Sequence, residues 1–291
     1  MTLFPLIVSL IHCTASTEDS LSTASPVGSE SNQSLVPGVN EWVLEQEVEG
    51  EVVERRFLVH VPDTHDGTEH TPILFAFHGN GGRPDEFVRQ FGPPVQGGEF
   101  IGVYPAGIAN SWNIGREESK ADDVVFTEMM LQSLENTPGI DTSRPVGVGF
   151  SNGAALVHKI ALESDLLVAI VPQASALLED NQPQTNSAKV SVMQFMGTLD
   201  DACPYDGGEG VLGYNFMPAE ESTAAWAAHN GCDDTATQTQ VNEHVKMEWK
   251  NCAHNRRVIH YRLNDIGHGV PDNIDGGTNA RIIDFLLEAR Q

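Results

Sequence analysis

The chain of 291 residues is long enough for one large domain or two small ones, and its 40% hydrophobic and 20% charged content is that of a folded globule rather than a disordered polymer. Forty-one Asp and Glu against sixteen Lys and Arg give a formal net charge of −25. That charge repels phosphate backbones and anionic leaflets and argues against nucleic-acid or peripheral-membrane binding. No apolar run reaches the ~18 residues that span a bilayer, and four cysteines are too few for a small disulfide scaffold.

Leu3–Ile11 is a short apolar run followed by the small residues Thr14-Ala15-Ser16, the pattern of a secretory signal over residues 1–15, with Cys13 raising a lipid-anchored variant. Residues 16–40 are rich in Ser, Thr and Glu, with Pro26, Gly28, Pro37 and Gly38, and read as a solvated tether. These features predict an exported protein whose folded domain covers residues 41–291.

Within that domain Glu41–Glu49 and Val52–Val61 alternate apolar and polar residues about Gly50 and predict an antiparallel hairpin. Five near-continuous apolar runs follow, Ile73–Phe77, Phe100–Tyr104, Val146–Phe150, Leu167–Val171 and Val190–Met196. Unbroken runs suit strands covered on both faces, as in a parallel sheet. A further strand is read at Val258–Leu263, and helices at Asp123–Glu135, Asn152–Glu163, Pro218–Asn230 and Thr278–Ala289. The alternation of strand and helix predicts one α/β domain with a mostly parallel central sheet and helices on both faces.

Gly149-Phe150-Ser151-Asn152-Gly153 lies between an apolar strand and an Ala-rich helix. A serine on so tight a strand-to-helix turn is exposed and strained, and flanking glycines relieve the crowding. Ser151 is the candidate nucleophile. The strand Ile73–Phe77 runs into His78-Gly79-Asn80-Gly81-Gly82, a loop of small residues able to aim backbone N–H groups at a developing oxyanion. The amides of Asn80 or Gly81 and of Asn152 are the candidate donors. Past Val190–Met196, Asp200 is the candidate acid, with Asp201 its competitor. Of eleven histidines, His268 sits in Gly267-His268-Gly269 between the last strand and last helix and is the candidate base. Ser151, Asp200 and His268 follow the chain order of an α/β-hydrolase triad.

The chain therefore resembles α/β-hydrolase-fold serine esterases, and more narrowly the polyhydroxybutyrate depolymerase and feruloyl (acetylxylan) esterase-like family. The resemblance rests on Arg55–Pro62 (RRFLVHVP), Phe77–Gly82 (FHGNGG), Tyr104–Gly107 (YPAG), Ser111–Asn113 (SWN), Ala121–Phe126 (ADDVVF), Gly149–Ala154 (GFSNGA), Gly197–Gly208 (GTLDDACPYDGG) and Gly267–Asp272 (GHGVPD). It implies hydrolysis of polyester or of feruloyl or acetyl esters of plant polysaccharide, and it favours Asp200 over Asp201. Where the family often carries a cysteine in the oxyanion loop, this chain has Asn80, and an aromatic-proline pair after the histidine is replaced by Gly269-Val270-Pro271. The family pairs cysteines in the region of Cys232 and Cys252, which flank a polar loop here and are expected to bond in an exported protein. Closing a loop of that length contributes roughly 3 kcal/mol on the chain-entropy estimate. Cys203 has no evident partner.

Trp112 and Tyr205 are candidate substrate contacts, and Asp122 and Asp123 precede a helix as candidate caps. No metal-ligand spacing and no dinucleotide or phosphate-loop fingerprint is present, so no metal or other cofactor is expected. The partner expected is an ester substrate, and the sequence fixes no oligomeric state. Two other readings fit the same chain: a non-catalytic polymer- or polysaccharide-binding protein on this fold, and a peptidase of the α/β-hydrolase type.

Overall fold

A computed structural model describes residues 35–291. The expected signal segment and most of the expected tether lie outside the described residues.

The first two strands, β1 (Gly38–Val48) and β2 (Glu51–Val61), form the expected hairpin, joined by Glu49 and Gly50, both with positive φ (52° and 86°). Two successive left-handed residues make the turn whose twist matches that of the strands it joins. The fold begins at Gly38 rather than Glu41, because Asn40 ties the strand start through Val36 and Val59.

Next come β3 (Thr71–Phe77), α1 (Pro84–Gln96), β4 (Ile101–Pro105), α2 (Asp123–Leu134), β5 (Ile140–Phe150), α3 (Asn152–Glu163), β6 (Ala169–Gln173) and β7 (Ser191–Gly197). After β7 a two-stranded ribbon, β8 (Gly208–Glu209) and β9 (Asn215–Phe216), interrupts the alternation. The chain closes with α4 (Ala219–His229), β10 (Thr237–Val241), β11 (His244–Trp249), β12 (Val258–Leu263) and α5 (Thr278–Ala289). The main sheet has ten strands in the order β1-β2-β4-β3-β5-β6-β7-β12-β11-β10, and the six from β4 to β12 run parallel. Antiparallel hairpins close both edges.

The apolar runs read from the sequence occupy that parallel block. Their alternate residues split between two cores. Phe75 and Phe77 of β3 pack with α2, α3 and α4, including Phe126, Leu156 and Trp226, while Leu74 and Ala76 pack with α1 and α5, including Phe91 and Phe285. Burial on both faces is why these strands show no polar alternation.

Helix α1, the β8–β9 ribbon and the β10–β11 hairpin escaped the sequence reading. Helix α1 carries Gly92-Pro93-Pro94 inside it, yet Pro84 opens it and Phe87, Phe91 and Val95, spaced by four, bury one stripe. The polar loop expected between Cys232 and Cys252 contains the β10–β11 hairpin, whose residues Thr237–Gln240 are all exposed at the sheet edge. Cys232 and Cys252 form the expected disulfide, joining the end of α4 to the segment after β11.

Candidate active site

In open α/β sheets, sites form where loops leave the carboxyl ends of the strands. Here the turns after β3, β5 and β7 and the loop after β12 meet at that edge. Gly149 and Gly153 are required by close approach. A side chain on Gly149 would overlap the Gly153 carbonyl oxygen, and one on Gly153 would overlap that of Phe77. Between them Ser151 takes φ 54° and ψ −117°, a strained backbone for a residue with a Cβ, stabilised by its N–H bond to Gln173 O (2.8 Å). The strain lifts the hydroxyl clear of α3.

His268 lies 2.8 Å from Ser151 Oγ through Nε2 and 2.8 Å from Asp200 Oδ2 through Nδ1. A carboxylate on Nδ1 places the proton there and leaves Nε2 free to accept from the serine. Asp200 is buried, and its other oxygen accepts from the N–H groups of Ala202 (3.0 Å) and Cys203 (2.9 Å), so both oxygens are held. Asp201 next to it is exposed. Phe150 covers one side of the imidazole, with ring centroids 5.4 Å apart. The arrangement can lower the barrier to attack by Ser151 on an electrophilic carbon. Residues that the sequence separates by 49 and 68 positions thus meet at hydrogen-bond distance.

The loop after β3 is held rigidly. Gly107 N–H donates to His78 Nε2 (3.1 Å), so the ring proton sits on Nδ1 and donates to Gly79 O (2.8 Å). Burial lowers the His78 pKa and keeps the imidazole neutral in this role. Gly81 N–H donates to Asn110 O (2.8 Å), so of the two candidate loop amides that of Gly81 is already committed within the fold. Asn152 heads α3, where the first backbone N–H groups have no partner within the helix.

The two aromatic candidates are corrected by burial. Trp112 is fully buried, donates from Nε1 to His78 O (2.7 Å) and packs edge-on against Phe77, so it supports the loop from beneath and touches no open cleft. Tyr205 is buried in a small cluster with Met196, Cys203 and Phe216. Its hydroxyl lies 3.1 Å from Glu220 and 3.0 Å from His260. Cys203 is buried and free, its thiol pushed up to about 12 by burial and by the Asp200 charge. Asp122 caps α2 as expected, accepting from Val124 and Val125 N–H, but Asp123 does not. It forms a buried ion pair with Arg55 (2.7 Å) and accepts from Asn113 N–H.

Sequence reading missed Glu117. This buried carboxylate accepts from Tyr214 Oη (2.9 Å), from the N–H groups of Ile114, Gly115 and Arg116, and from Asn152 Nδ2 (3.2 Å). A lone Glu in a polar loop carries no sequence signal for that. Among the described residues, no group of three or more His, Cys, Asp or Glu could hold a metal ion, and no helix is long and apolar enough to cross a membrane.

No family model matches the chain. It is 24% identical over 232 residues to a feruloyl esterase B from Piromyces equi, covering 75% of this chain and 43% of that relative, so it spans under half the relative's length. It is 23% identical over 261 residues to a probable feruloyl esterase C from Aspergillus oryzae, covering 87% of each. Among solved structures, an acetyl xylan esterase from Aspergillus awamori matches the fold with a TM-score of 0.54 at 12% identity, over 80% of this chain and 94% of that one. Strand order and the meeting of loops at one sheet edge agree with that likeness: the chain has the α/β-hydrolase fold and is similar in sequence to feruloyl esterases.

Proposed function

We propose that the chain is an exported serine carboxylesterase that cleaves feruloyl, acetyl or related neutral esters carried on plant polysaccharide. The observation that carries this reading is the continuous Ser151–His268–Asp200 hydrogen-bond chain, with 2.8 Å at each link. Names of relatives support the acyl class, and the acidic surface disfavours anionic esters. The Cys232–Cys252 bond supports an oxidising compartment.

In this mechanism His268 Nε2 takes the Ser151 proton as Oγ attacks the ester carbonyl. The carbonyl electrons move onto oxygen, and the amides of Asn80 and Asn152 hold the resulting oxyanion. Asp200 keeps the imidazole in the required tautomer and stabilises the imidazolium. The tetrahedral species collapses, the C–O bond to the alcohol breaks, and His268 returns the proton to the leaving oxygen. A water activated by His268 then attacks the acyl-enzyme, and the acid leaves with Ser151 restored.

The test is hydrolysis of ethyl ferulate, p-nitrophenyl acetate and butyrate, and a polyhydroxybutyrate film by wild type and Ser151→Ala. Ferulate release that falls by about 10⁴-fold or more in the variant is expected. A folded Ser151→Ala that keeps a third of the rate would overturn the nucleophile. Film clearing without ferulate release would move the substrate to polyester. A folded wild type inert on all of them would move the reading to a binding protein.

A further inference from the structure

One segment touches both sides of the oxyanion hole. On the β3 side, Asn110 O takes the Gly81 N–H, Gly107 N–H fixes His78, and Trp112 Nε1 binds His78 O. On the α3 side, the Asn152 side chain pairs with the Trp112 backbone at both N–H (2.7 Å) and C=O (3.0 Å), and its oxygen also accepts from Ser111 Oγ (3.2 Å). Ala109 and Asn110 both hold positive φ (54° and 57°), so the strut is bent into a shape that its own backbone does not favour. Something must hold it there.

Glu117 is placed to do so. One carboxylate oxygen gathers three successive backbone N–H groups, those of Ile114, Gly115 and Arg116, and the Tyr214 hydroxyl. The other oxygen receives Asn152 Nδ2. Three backbone N–H groups, a hydroxyl and an amide N–H thus converge on its two oxygens. Tyr214 belongs to the turn before β9, in the segment that follows β7 and also carries Asp200. Its hydroxyl is kept protonated by burial and by Glu117 itself. Arg116 adds a second tie, lying over the Tyr214 ring and bonding to the Leu212 and Gly213 carbonyls.

We infer that Glu117 is a positioning residue for the oxyanion hole: through Asn152 and residues 107–116 it sets both donor amides against Ser151, and through Tyr214 it ties them to the acid-bearing loop. The inference rests on the Asn80 and Asn152 amides being the donors proposed above. It touches no substrate, so its loss is felt where charge develops on the oxygen and not in ground-state binding.

Glu117→Gln tests this, because an amide of the same shape must turn one NH₂ toward a donor. Removal of a whole oxyanion donor costs about 10²–10³ in kcat, so a displaced one is expected to lower kcat by about 10- to 100-fold with KM within about twofold. A trifluoromethyl ketone, whose serine adduct puts an oxyanion in the hole, is expected to lose affinity by the same factor as kcat/KM. Unchanged kcat in folded Glu117→Gln overturns the inference, and so does a fall in kcat with unchanged ketone affinity. If Glu117→Gln does not fold, Tyr214→Phe decides: a few-fold loss in both kcat and ketone affinity is expected, and wild-type values overturn the inference. Ser151→Ala separates the two readings. If it is inactive while Glu117→Gln is normal, only the Glu117 role falls; if it stays active, the nucleophile assignment falls with it.

Discussion

At the scale of single residues, a charge is worth what surrounds it. Arg55 and Asp123 are each 1% exposed, and the guanidinium sits 4.0 Å from the centre of the Phe126 ring. Burial lowers the Arg55 pKa while Asp123 opposes the fall, so removing the carboxylate leaves a cation with nowhere to go. Asp123→Ala is expected to lose about 3–5 kcal/mol of unfolding free energy in urea, the range for breaking one side of a buried pair. A loss below about 1 kcal/mol would show that water reaches Arg55. The sequence made Asp122 and Asp123 equivalent, two acids before a helix, and burial alone separates the cap from the ion pair. The meeting of Ser151, Asp200 and His268 was legible because each follows a recognisable strand in a glycine-marked turn. Trp112, Tyr205 and Glu117 were not, since residue type in a loop does not reveal whether the side chain faces solvent, core or backbone.

At the scale of elements, helix α3 and strand β12 each bring a buried imidazole into the layer under α4. His158 on α3 stacks on Trp226 of α4 and accepts from its indole (3.2 Å), and His260 on β12 is enclosed by Tyr205, Thr223 and Gln194. Burial lowers both pKa values from 6.5 to about 3. The unfolded chain protonates these rings near 6.5 and the folded chain only near 3, so the folded state binds fewer protons in that window. Stability is therefore full above pH 6.5 and falls as pH drops toward 3, by at most about 1.4 kcal/mol per pH unit for each ring. Urea midpoints at pH 7 and pH 5 should fall less steeply in His260→Gln than in wild type; parallel losses would mean that His260 takes its proton in the fold. Periodicity made the long elements readable: α3, α5 and β12 run as expected, from Asn152–Glu163, Thr278–Ala289 and Val258–Leu263. It missed α1, which carries Pro93 and Pro94 inside it, and the β10–β11 pair, where an edge strand with no buried face offers no apolar alternation to detect.

At the scale of the whole molecule, the charge of −25 acts at a distance that salt controls. Raising NaCl from about 10 mM to about 0.5 M shortens the screening length several-fold. It is expected to raise kcat/KM for an anionic ester such as p-nitrophenyl hemisuccinate while leaving p-nitrophenyl butyrate nearly flat. Equal salt responses would mean that the field at the site is not set by the surface acids. The fold class was readable at this scale because the parallel block is built from unbroken apolar runs. The β1–β2 hairpin at one edge shows what the same acidity does for shape. Along β1 the outward residues include Glu41, Glu45 and Glu47, and across the turn Glu51 and Glu54 are exposed as well. An incoming strand seeking the open backbone of β1 would have to lay its own side chains among those carboxylates. Two copies of this chain would bring these glutamates close together, with only Val39 and Val43 beside them in the exposed row. Growth at the β1 edge is thereby opposed: that border is guarded by like charge where a barrel would have closed it.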